Sequence, residues 1–356
     1  MEIAQLWPLY YESAPQILKT LDLSRGESDF RQVYILDGGH RKLAVKHTSN
    51  AFTDGERIAG WARLMEAYNK TGIYCPNIVC NRHNELFHSY LSGGRRYFVY
   101  AEEFARYETA EHIGRAQCAD PNGRPRYMDG VLRSVGRVAS MHFDFLPFPS
   151  GYCLLEPFCP PDATDEATEC ALSFRDFVRT ECPRYAGRVD RLTALFFSNQ
   201  EALRALYPAL PVSCFQADLG DANILLDGEK NFAGLIDFNL SGKEPVLNYA
   251  VRAALWKIYD FRLYDRENGG SRLFWYDRGL DDLRMKLFLE NLRLIAESYR
   301  FSDSERAAFP ALLRYMNSFW WHHVEEIQRI QGDDDKIQGL LGWLERQMTR
   351  DDIALP

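Results

Sequence analysis

The stretch CFQADLGDANILLDGEKNFAGLIDFNLSGKE, residues 214–244, constrains this chain more than any other. It contains two short apolar runs on either side of a turn at Asp227 and Gly228, a pattern that predicts a β-hairpin. Because paired residues of a hairpin have a nearly constant index sum, Asn223 is expected opposite residue 236 or 237. The loop before the hairpin and the end of its second strand should therefore lie together.

Three polar residues occupy this loop and this strand end: Asp218, Asn223 and Asp237. Asp218 and Asn223 form the pattern D-x-x-x-x-N, and Asp237 ends the second apolar run. Phosphoryl transfer uses one Asp to orient or deprotonate the attacking hydroxyl, and an Asn and a second Asp to hold Mg²⁺. The alternative is a surface loop in which these residues only form turns. Their combined spacing on one hairpin favours the phosphoryl-transfer interpretation.

This stretch resembles the aminoglycoside phosphotransferase and choline kinase-like superfamily, whose loop typically reads H-G-D-L-x-x-x-N before I-D-F. Residues 219–223 are especially similar to the L-G-D-S-N of aminoglycoside kinases. The sequence departs from the family at Gln216, which replaces His, at Ala217, which replaces Gly, and at Asn239, two residues after the metal Asp. A Gln side chain still forms hydrogen bonds to backbone, so we expect the first change to be tolerated. A catalytically weak or inactive nucleotide-binding regulatory protein remains the alternative.

The resemblance implies an α+β, bilobal protein-kinase-like fold. A small antiparallel β-rich N-lobe, residues 1–103, would bind the nucleotide and end in the hinge. A larger, mainly helical C-lobe, residues 104–356, would carry the catalytic loop, the metal site and the substrate cleft. ATP or GTP would bind between the lobes with Mg²⁺. By the same resemblance Asp218 is the catalytic residue, and Asn223 and Asp237 are the metal ligands.

A lysine is predicted to contact the phosphates of the nucleotide. Lys46 ends the run Leu-Ala-Val-Lys, which is similar to the V-A-I-K strand of kinases. In those kinases a Glu from the following helix orients the Lys, so Glu56 is the candidate and Glu66 the second choice. The alternatives are a solvated Lys46 and a Glu56 that caps its own helix at a capping box over residues 53–56.

Three N-terminal strands are predicted from the pattern of apolar and turn residues. Residues 17–21, 32–36 and 42–46 have strand patterning, and the last two runs flank a turn at residues 37–40.

The loop between the first two strands contains Gly26 and Ser28, which by family resemblance would lie over the phosphates. A plain connecting loop is the alternative. Residues 96–104 form an apolar strand that turns acidic, where the resemblance implies adenine contacts from the carbonyl of Ala101 and the amide of Glu103.

Composition limits the other function classes. The formal charge of −8 argues against nucleic acid or an anionic membrane as partner, and no apolar run approaches the ~20 residues of a membrane span. The N-terminus lacks a basic region followed by an apolar one, so no signal peptide is expected. The eight scattered cysteines predict reduced, mostly buried thiols and no zinc site. We therefore expect a cytoplasmic monomer or homodimer.

The acceptor is predicted to be a small hydroxyl-bearing molecule: an aminoglycoside or amino sugar, a sugar, or an amino alcohol. A protein substrate is disfavoured because residues 238–248 are too short for an activation loop and no A-P-E element follows. Residues 260–282, aromatic and nearly balanced in charge, are expected to line the substrate cleft. His322 and His323 lie in a helical pattern and, being adjacent, are expected on different faces rather than as a metal pair.

Overall fold

An antiparallel sheet forms the N-terminal part of the chain. The computed structural model describes residues 3–121, 123–159, 162–265, 267 and 270–356. A short helix, α1 (Ile3–Leu6), precedes six strands: β1 (Gln16–Asp22), β2 (Phe30–Asp37), β3 (Lys42–Ser49), β4 (Ile78–Val79), β5 (His88–Ser92) and β6 (Arg95–Glu103). Their order is β1-β2-β3-β6-β4, with β5 also pairing with β6. The three strands predicted within the first 46 residues are confirmed as β1, β2 and β3.

One helix, α2 (Gly55–Lys70), connects β3 to β4. Its apolar residues at helical spacing are buried, as predicted: Ile58, Trp61, Met65 and Tyr68. The side chain of Asp54 caps the helix by accepting a hydrogen bond from the amide of Arg57 at 2.8 Å. The predicted capping box is therefore wrong, because Asp54 rather than Thr53 is the N-cap and Glu56 falls one position too early to complete it.

The rest of the chain is mainly helical. Its helices are α3 (Ala110–Ile113), α4 (Arg115–Cys118), α5 (Met128–Ser140), α6 (Glu166–Glu181), α7 (Ala186–Leu206), α8 (Val246–Trp256), α9 (Arg278–Ala296), α10 (Asp303–Met316), α11 (Trp321–Arg329) and α12 (Asp334–Thr349). Short strands lie between them: β7 (Glu108–Thr109), β8 (Val212–Phe215), β9 (Ile224–Leu226), β10 (Phe232–Leu235), β11 (Gly242–Pro245), β12 (Tyr264–Asp265) and β13 (Ser271–Arg272). This is the α+β architecture that was expected.

Strands β9 and β10 form the hairpin predicted from the sequence. Leu235 lies opposite Ile224, and the amide of Ile236 donates to the carbonyl of Asn223 at 3.0 Å. Asn223 is thus opposite residue 236, as its position in the sequence predicted. Strand β7 pairs with the outer side of β9, and β8 pairs with β11 next to it.

A large buried apolar cluster extends from α2 through the hairpin into the C-terminal helices. Tyr68 of α2 packs edge-on against Phe238, directly after the hairpin, with ring centroids 5.4 Å apart. Helix α2 is therefore held by apolar packing to the segment that follows the hairpin. All eight cysteines are free and seven of them are buried, as expected. Among the described residues, no helix has the length and apolarity to cross a membrane.

The hairpin depends on a glycine in β10. A Cβ added to Gly234 would come within 1.9 Å of the carbonyl oxygen of Tyr74, which already accepts the amide of Leu235 at 2.9 Å. We expect Gly234→Ala to lower the free energy of unfolding in urea by about 2–3 kcal/mol. Gly228→Ala is the control, because Gly228 has open space around it, and should change stability by less than about 1 kcal/mol. Equal effects of the two substitutions would contradict this prediction.

Candidate active site

The hairpin brings the three predicted polar residues together. Asp218 lies in the loop after β8, Asn223 directly precedes β9, and Asp237 follows β10. The side-chain amide of Asn223 donates to the backbone carbonyl of Asp218 at 3.3 Å. The backbone carbonyl of Asn223 accepts a hydrogen bond from the backbone amide of Ile236. Asn223 therefore links the loop that carries Asp218 to the strand end that carries Asp237.

Gln216 stabilises this arrangement through hydrogen bonds to backbone groups. Its Nε2 donates to the carbonyls of Ile236 at 3.0 Å and Asp237 at 2.8 Å, and its backbone amide donates to the hydroxyl of Tyr68 at 3.1 Å. The side chain is fully buried, and its Oε1 has no partner among the described residues. The expectation that Gln216 forms hydrogen bonds to backbone where the family has His is confirmed.

Two residues of the site have left-handed backbone conformations that side chains other than glycine rarely adopt. Ala217 has φ +76° and Asp237 has φ +57°. Such conformations cost of order 1–2 kcal/mol and persist only where the surrounding structure imposes them. The positive φ at Ala217 explains why glycine suits this position in the family pattern. At Asp237 the two bonds from Gln216 hold the strained peptide in place.

Lys46 links the N-terminal sheet to the hairpin. Its Nζ lies 2.7 Å from Oε1 of Glu102 and 3.4 Å from Oδ1 of Asp237, and 14% of its side chain is exposed. Burial by itself lowers the pKa of Lys46, but Glu102 and Asp237 outweigh burial and hold the pKa well above its usual value. The ammonium group is therefore charged at the point where β3 meets the Asp237 turn.

The carboxylate beside Lys46 is Glu102, and the predicted pairing with Glu56 is corrected. In the register of β3 and β6, Lys46 lies opposite Tyr100 and Ala44 lies opposite Glu102, so Lys46 and Glu102 are diagonal neighbours on one face. Glu56 is exposed on the first turn of α2, because the helix buries its apolar face against the sheet. The second choice, Glu66, is exposed as well.

The predicted hinge contacts also need correction. Ala101 lies inside β6, between Val45 of β3 and Val79 of β4. The amide of Glu103 donates to the carbonyl of Asn77 at 2.9 Å, so it is already used within the sheet. The strand predicted over residues 96–104 is confirmed as β6, Arg95–Glu103, so both predicted contact residues lie within the sheet.

The predicted phosphate-binding residues Gly26 and Ser28 are exposed in the loop between β1 and β2. Gly26 has φ +75°, which suits glycine. Neither residue contacts Lys46 or Asp237 through a hydrogen bond of the described residues. The phosphate role of Gly26 and Ser28 remains a prediction.

A cavity of about 760 Å³ opens beside Asp218. Residues 260–282 were expected to line the substrate cleft, and four of them do line this cavity: Tyr264, Arg272, Phe274 and Trp275. Within that range Arg266, Asn268 and Gly269 lie outside the described residues. His322 and His323 both line the cavity, with ring centroids 4.2 Å apart, so the expectation that they point to different faces is wrong. They occupy the first turn of α11, and both rings lie near the ring of Trp275, with centroids 5.8 and 5.1 Å from it.

Next to Asp218, a charged network that the sequence did not reveal surrounds Asp221. Nε of Arg115 lies 2.9 Å from Oδ2 of Asp221, while the hydroxyl of Tyr127 at 3.0 Å and Nζ of Lys257 at 3.6 Å reach Oδ1. Burial lowers the pKa of Lys257, and the carboxylates of Asp221 and Asp218 offset this only in part. Lys257 thus places a buried cation beside the Asp218 end of the cavity. No sequence pattern marks Lys257, because it follows α8 without a motif.

Comparison with known proteins identifies a family and a fold. The model of a phosphotransferase enzyme family matches residues 22–260. An amicoumacin kinase, solved in complex with AMP-PNP, Ca²⁺ and Ami, is similar in structure with a TM-score of 0.56 and 12% identity, over 97% of this chain and 92% of that one. A microcompartment-associated aminopropanol kinase has a TM-score of 0.49 and 14% identity, over 97% and 94% of the two chains.

An aminoglycoside phosphotransferase from Alicyclobacillus acidocaldarius subsp. acidocaldarius has a TM-score of 0.47 and 14% identity, over 98% of this chain and 96% of that one. No curated protein matches the sequence significantly. The similarity to the amicoumacin kinase confirms the kinase-like α+β fold that the loop and strand motifs predicted. The lobe boundary between residues 103 and 104 remains a prediction.

The brace by Gln216 can be tested with an isosteric change. Gln216→Glu removes both donors and buries a carboxylate against the carbonyls of Ile236 and Asp237. We expect a loss of about 2–4 kcal/mol in the free energy of unfolding at neutral pH, measured with urea. Gln117→Glu, an exposed position, adds the same charge and should change stability by less than about 0.5 kcal/mol. A Gln216→Glu protein as stable as its parent would show that these donors are dispensable.

Proposed function

The chain belongs to the phosphotransferase enzyme family, and we propose that it transfers the γ-phosphoryl group of ATP to a hydroxyl group of a small molecule. One observation carries the proposal. Asp218 lines a cavity of about 760 Å³, Asn223 joins its loop to the strand end that carries Asp237, and the charged Lys46 lies beside Asp237. A volume of this size is in the range of small-molecule sites.

The nucleotide end of the proposed site consists of one cation and oxygen ligands. Lys46 would bind the phosphates, and Glu102 holds its ammonium group in position. Asn223 uses its side-chain N–H on Asp218, which leaves its Oδ1 as an oxygen ligand, and the side chain of Asp237 is 38% exposed. This all-oxygen donor set fits Mg²⁺, which when bound neutralises charge on the transferring phosphoryl group.

Asp218 is proposed to act on the acceptor. Its Oδ1 accepts the amide of Gly220 at 3.0 Å, which fixes the carboxylate, and its side chain lines the cavity. A hydroxyl of a bound acceptor at this carboxylate would be oriented toward the γ-phosphorus and would give its proton to Asp218 as the new P–O bond forms. ADP would leave with the electron pair of the broken bond. Lys257, at the same end, would attract the negative charge of the phosphoryl group.

An inactive, nucleotide-binding homologue was the alternative, and its main argument was Gln216. In the structure Gln216 bonds to both carbonyls that position Asp237, so its presence does not disrupt the site. Lys46 lies beside Asp237, and Asn223 joins the end of the Asp237 strand to the Asp218 loop. These contacts favour an active phosphotransferase over the inactive homologue.

The role of Asp218 is tested by Asp218→Asn in a screen of acceptors with Mg²⁺ and ATP. The acceptors are amino alcohols, sugars, aminoglycosides, nucleosides and hydroxy acids, and the measurement is ADP release with phosphoryl transfer checked by mass. We expect kcat to fall by roughly 10²–10⁴-fold, because the amide cannot take the proton, while ATP still binds. Asp227→Asn, in the turn of the same hairpin, is the charge control and should keep kcat within about twofold. Near-normal turnover in Asp218→Asn would remove Asp218 from the mechanism.

The partner of Lys46 can be identified with two matched substitutions. Glu102→Gln keeps the shape of the side chain but removes the negative charge that pairs with the buried Lys46. We therefore expect KM for ATP to rise roughly tenfold or more. Glu56→Gln changes an exposed carboxylate and should leave KM within about twofold. If Glu56→Gln impaired ATP use and Glu102→Gln did not, Glu56 would be the functional partner after all.

A further inference from the structure

The end of the cavity away from Asp218 has a chemistry of its own. Four nitrogen-bearing side chains line it, which we call the donor cluster: Arg272, Trp275, Arg284 and His323. Arginine and tryptophan side chains donate hydrogen bonds and accept none. The wall therefore offers N–H groups from several directions and has no carboxylate among its described lining residues, since Glu111, Asp218 and Asp221 belong to the other end.

His323 lines the cavity and carries a ring proton that has no acceptor among the described residues. Its Nδ1 accepts the amide of Trp320 at 3.1 Å, an assignment that follows from the amide being the only donor of the pair, so the ring proton is on Nε2. His323 is 1% exposed, and its Nε2 has no hydrogen-bond partner among the described residues. The indole N–H of Trp275, also 1% exposed, has none in the same part of the chain. Buried donors without acceptors are rare, and here two of them belong to side chains that line one wall of the cavity.

Positive charge exceeds negative charge at this end. Asp281 is buried and lies 3.5 Å from Nη1 of Arg284 and 3.3 Å from Nη2 of Arg350. Its carboxylate also accepts hydrogen bonds from the indole N–H of Trp343 at 3.0 Å and from the side-chain amide of Gln347 at 2.9 Å. Both carboxylate oxygens of Asp281 therefore have partners within the protein.

Arg272 forms no ion pair with any carboxylate of the described residues, and its guanidinium carbon lies 5.4 Å from the ring centroid of Trp275. The charge of Arg272 is thus left uncompensated in the wall. Asp281 forms ion pairs with Arg284 and Arg350 and does not neutralise the charge of Arg272.

Aromatic side chains form the space between the two ends. Trp256, Trp320, Trp321 and Trp343 line the cavity together with Phe274. Trp256 is 39% exposed and Trp321 is 52% exposed, so large apolar surfaces face the open space. Aromatic faces of this kind pack against a flat or ring-shaped molecule.

We propose that the acceptor carries an anionic group, of the carboxylate class, which binds to the donor cluster while its ring lies among the tryptophans and its hydroxyl reaches Asp218. The hydroxyl end rests on the proposed function, whereas the anion site rests on the donor cluster alone. A polycationic aminoglycoside is disfavoured, because its ammonium groups would meet the guanidinium groups of Arg272 and Arg284. A neutral sugar would leave the charge of Arg272 unpaired.

The anion site is tested by binding, without nucleotide and with the full chain. Three probes share one hydroxymethylbenzene ring: para-(hydroxymethyl)benzoate, its neutral amide, and the cationic para-(aminomethyl)benzyl alcohol. Calorimetry and quenching of tryptophan fluorescence give the affinities. We expect the carboxylate to bind at least about tenfold more tightly than the amide, as a charge-assisted hydrogen bond to arginine would give, and the amine to bind most weakly.

Variants locate the effect. Arg272→Gln should reduce the preference for the carboxylate over the amide by about tenfold, and Arg272→Lys should retain part of it because the charge remains. Arg278→Gln removes one charge from an exposed position of the same segment and should leave all three affinities within about twofold. Thermal unfolding confirms that each variant is folded.

The outcomes separate this inference from the proposed function. Equal affinities for the three probes, no detectable binding of any of them, or a preference unchanged in Arg272→Gln would overturn the anion site. Selective binding of the carboxylate by a protein that phosphorylates no acceptor would support the anion site and reject the proposed kinase activity. Phosphorylation of aminoglycosides in preference to hydroxy acids would support the kinase activity and reject the anionic acceptor.

Discussion

The hydrogen bonds of one buried glutamine amide hold the candidate site together. Gln216 precedes Asp218 in the loop after β8, and its Nε2 reaches across to the carbonyls of Ile236 and Asp237. Because the peptide at Asp237 has a positive φ, it needs such external support to persist. The side chain of Gln216 therefore sets the position of Asp237, the proposed metal ligand. The same residue lies two positions before Asp218, the proposed catalytic residue.

A second constraint connects this loop to the N-terminal sheet. Lys46 contacts Glu102 in its own sheet and Asp237 in the hairpin, so one ammonium group spans two parts of the fold. The two carboxylates keep Lys46 charged despite its burial. In the proposed reaction Lys46 would bind the phosphates, and Asp237 would help to hold Mg²⁺. The cation that recognises the phosphates is thus positioned by contacts that exist before the nucleotide binds.

The two ends of the cavity have different origins. The Asp218 end lies within residues 22–260, the range that the family model matches. The donor cluster and most of the tryptophans come after residue 260, from the segment before α9 and from the C-terminal helices. The chemistry common to the family is therefore separated in the chain from the wall that would select the acceptor. In the proposed anion site, the uncompensated charge of Arg272 would select acceptors by their charge.

The sequence by itself determined the hairpin, the meeting of Asp218, Asn223 and Asp237, and the strand that carries Lys46, although that strand continues to Ser49. These features are local, because a turn signal and strand alternation fix which residues face each other over short separations. Only the tertiary structure decided that Glu102 rather than Glu56 pairs with Lys46, since that choice depends on the register of β3 and β6 and on how α2 is rotated against the sheet. The charge of the cavity wall could not be predicted either, because residues 260–282 contain nearly equal numbers of acidic and basic side chains. Packing buried Asp281 in its own ion pairs and left Arg272 facing the cavity, and no pattern along the chain specifies that outcome.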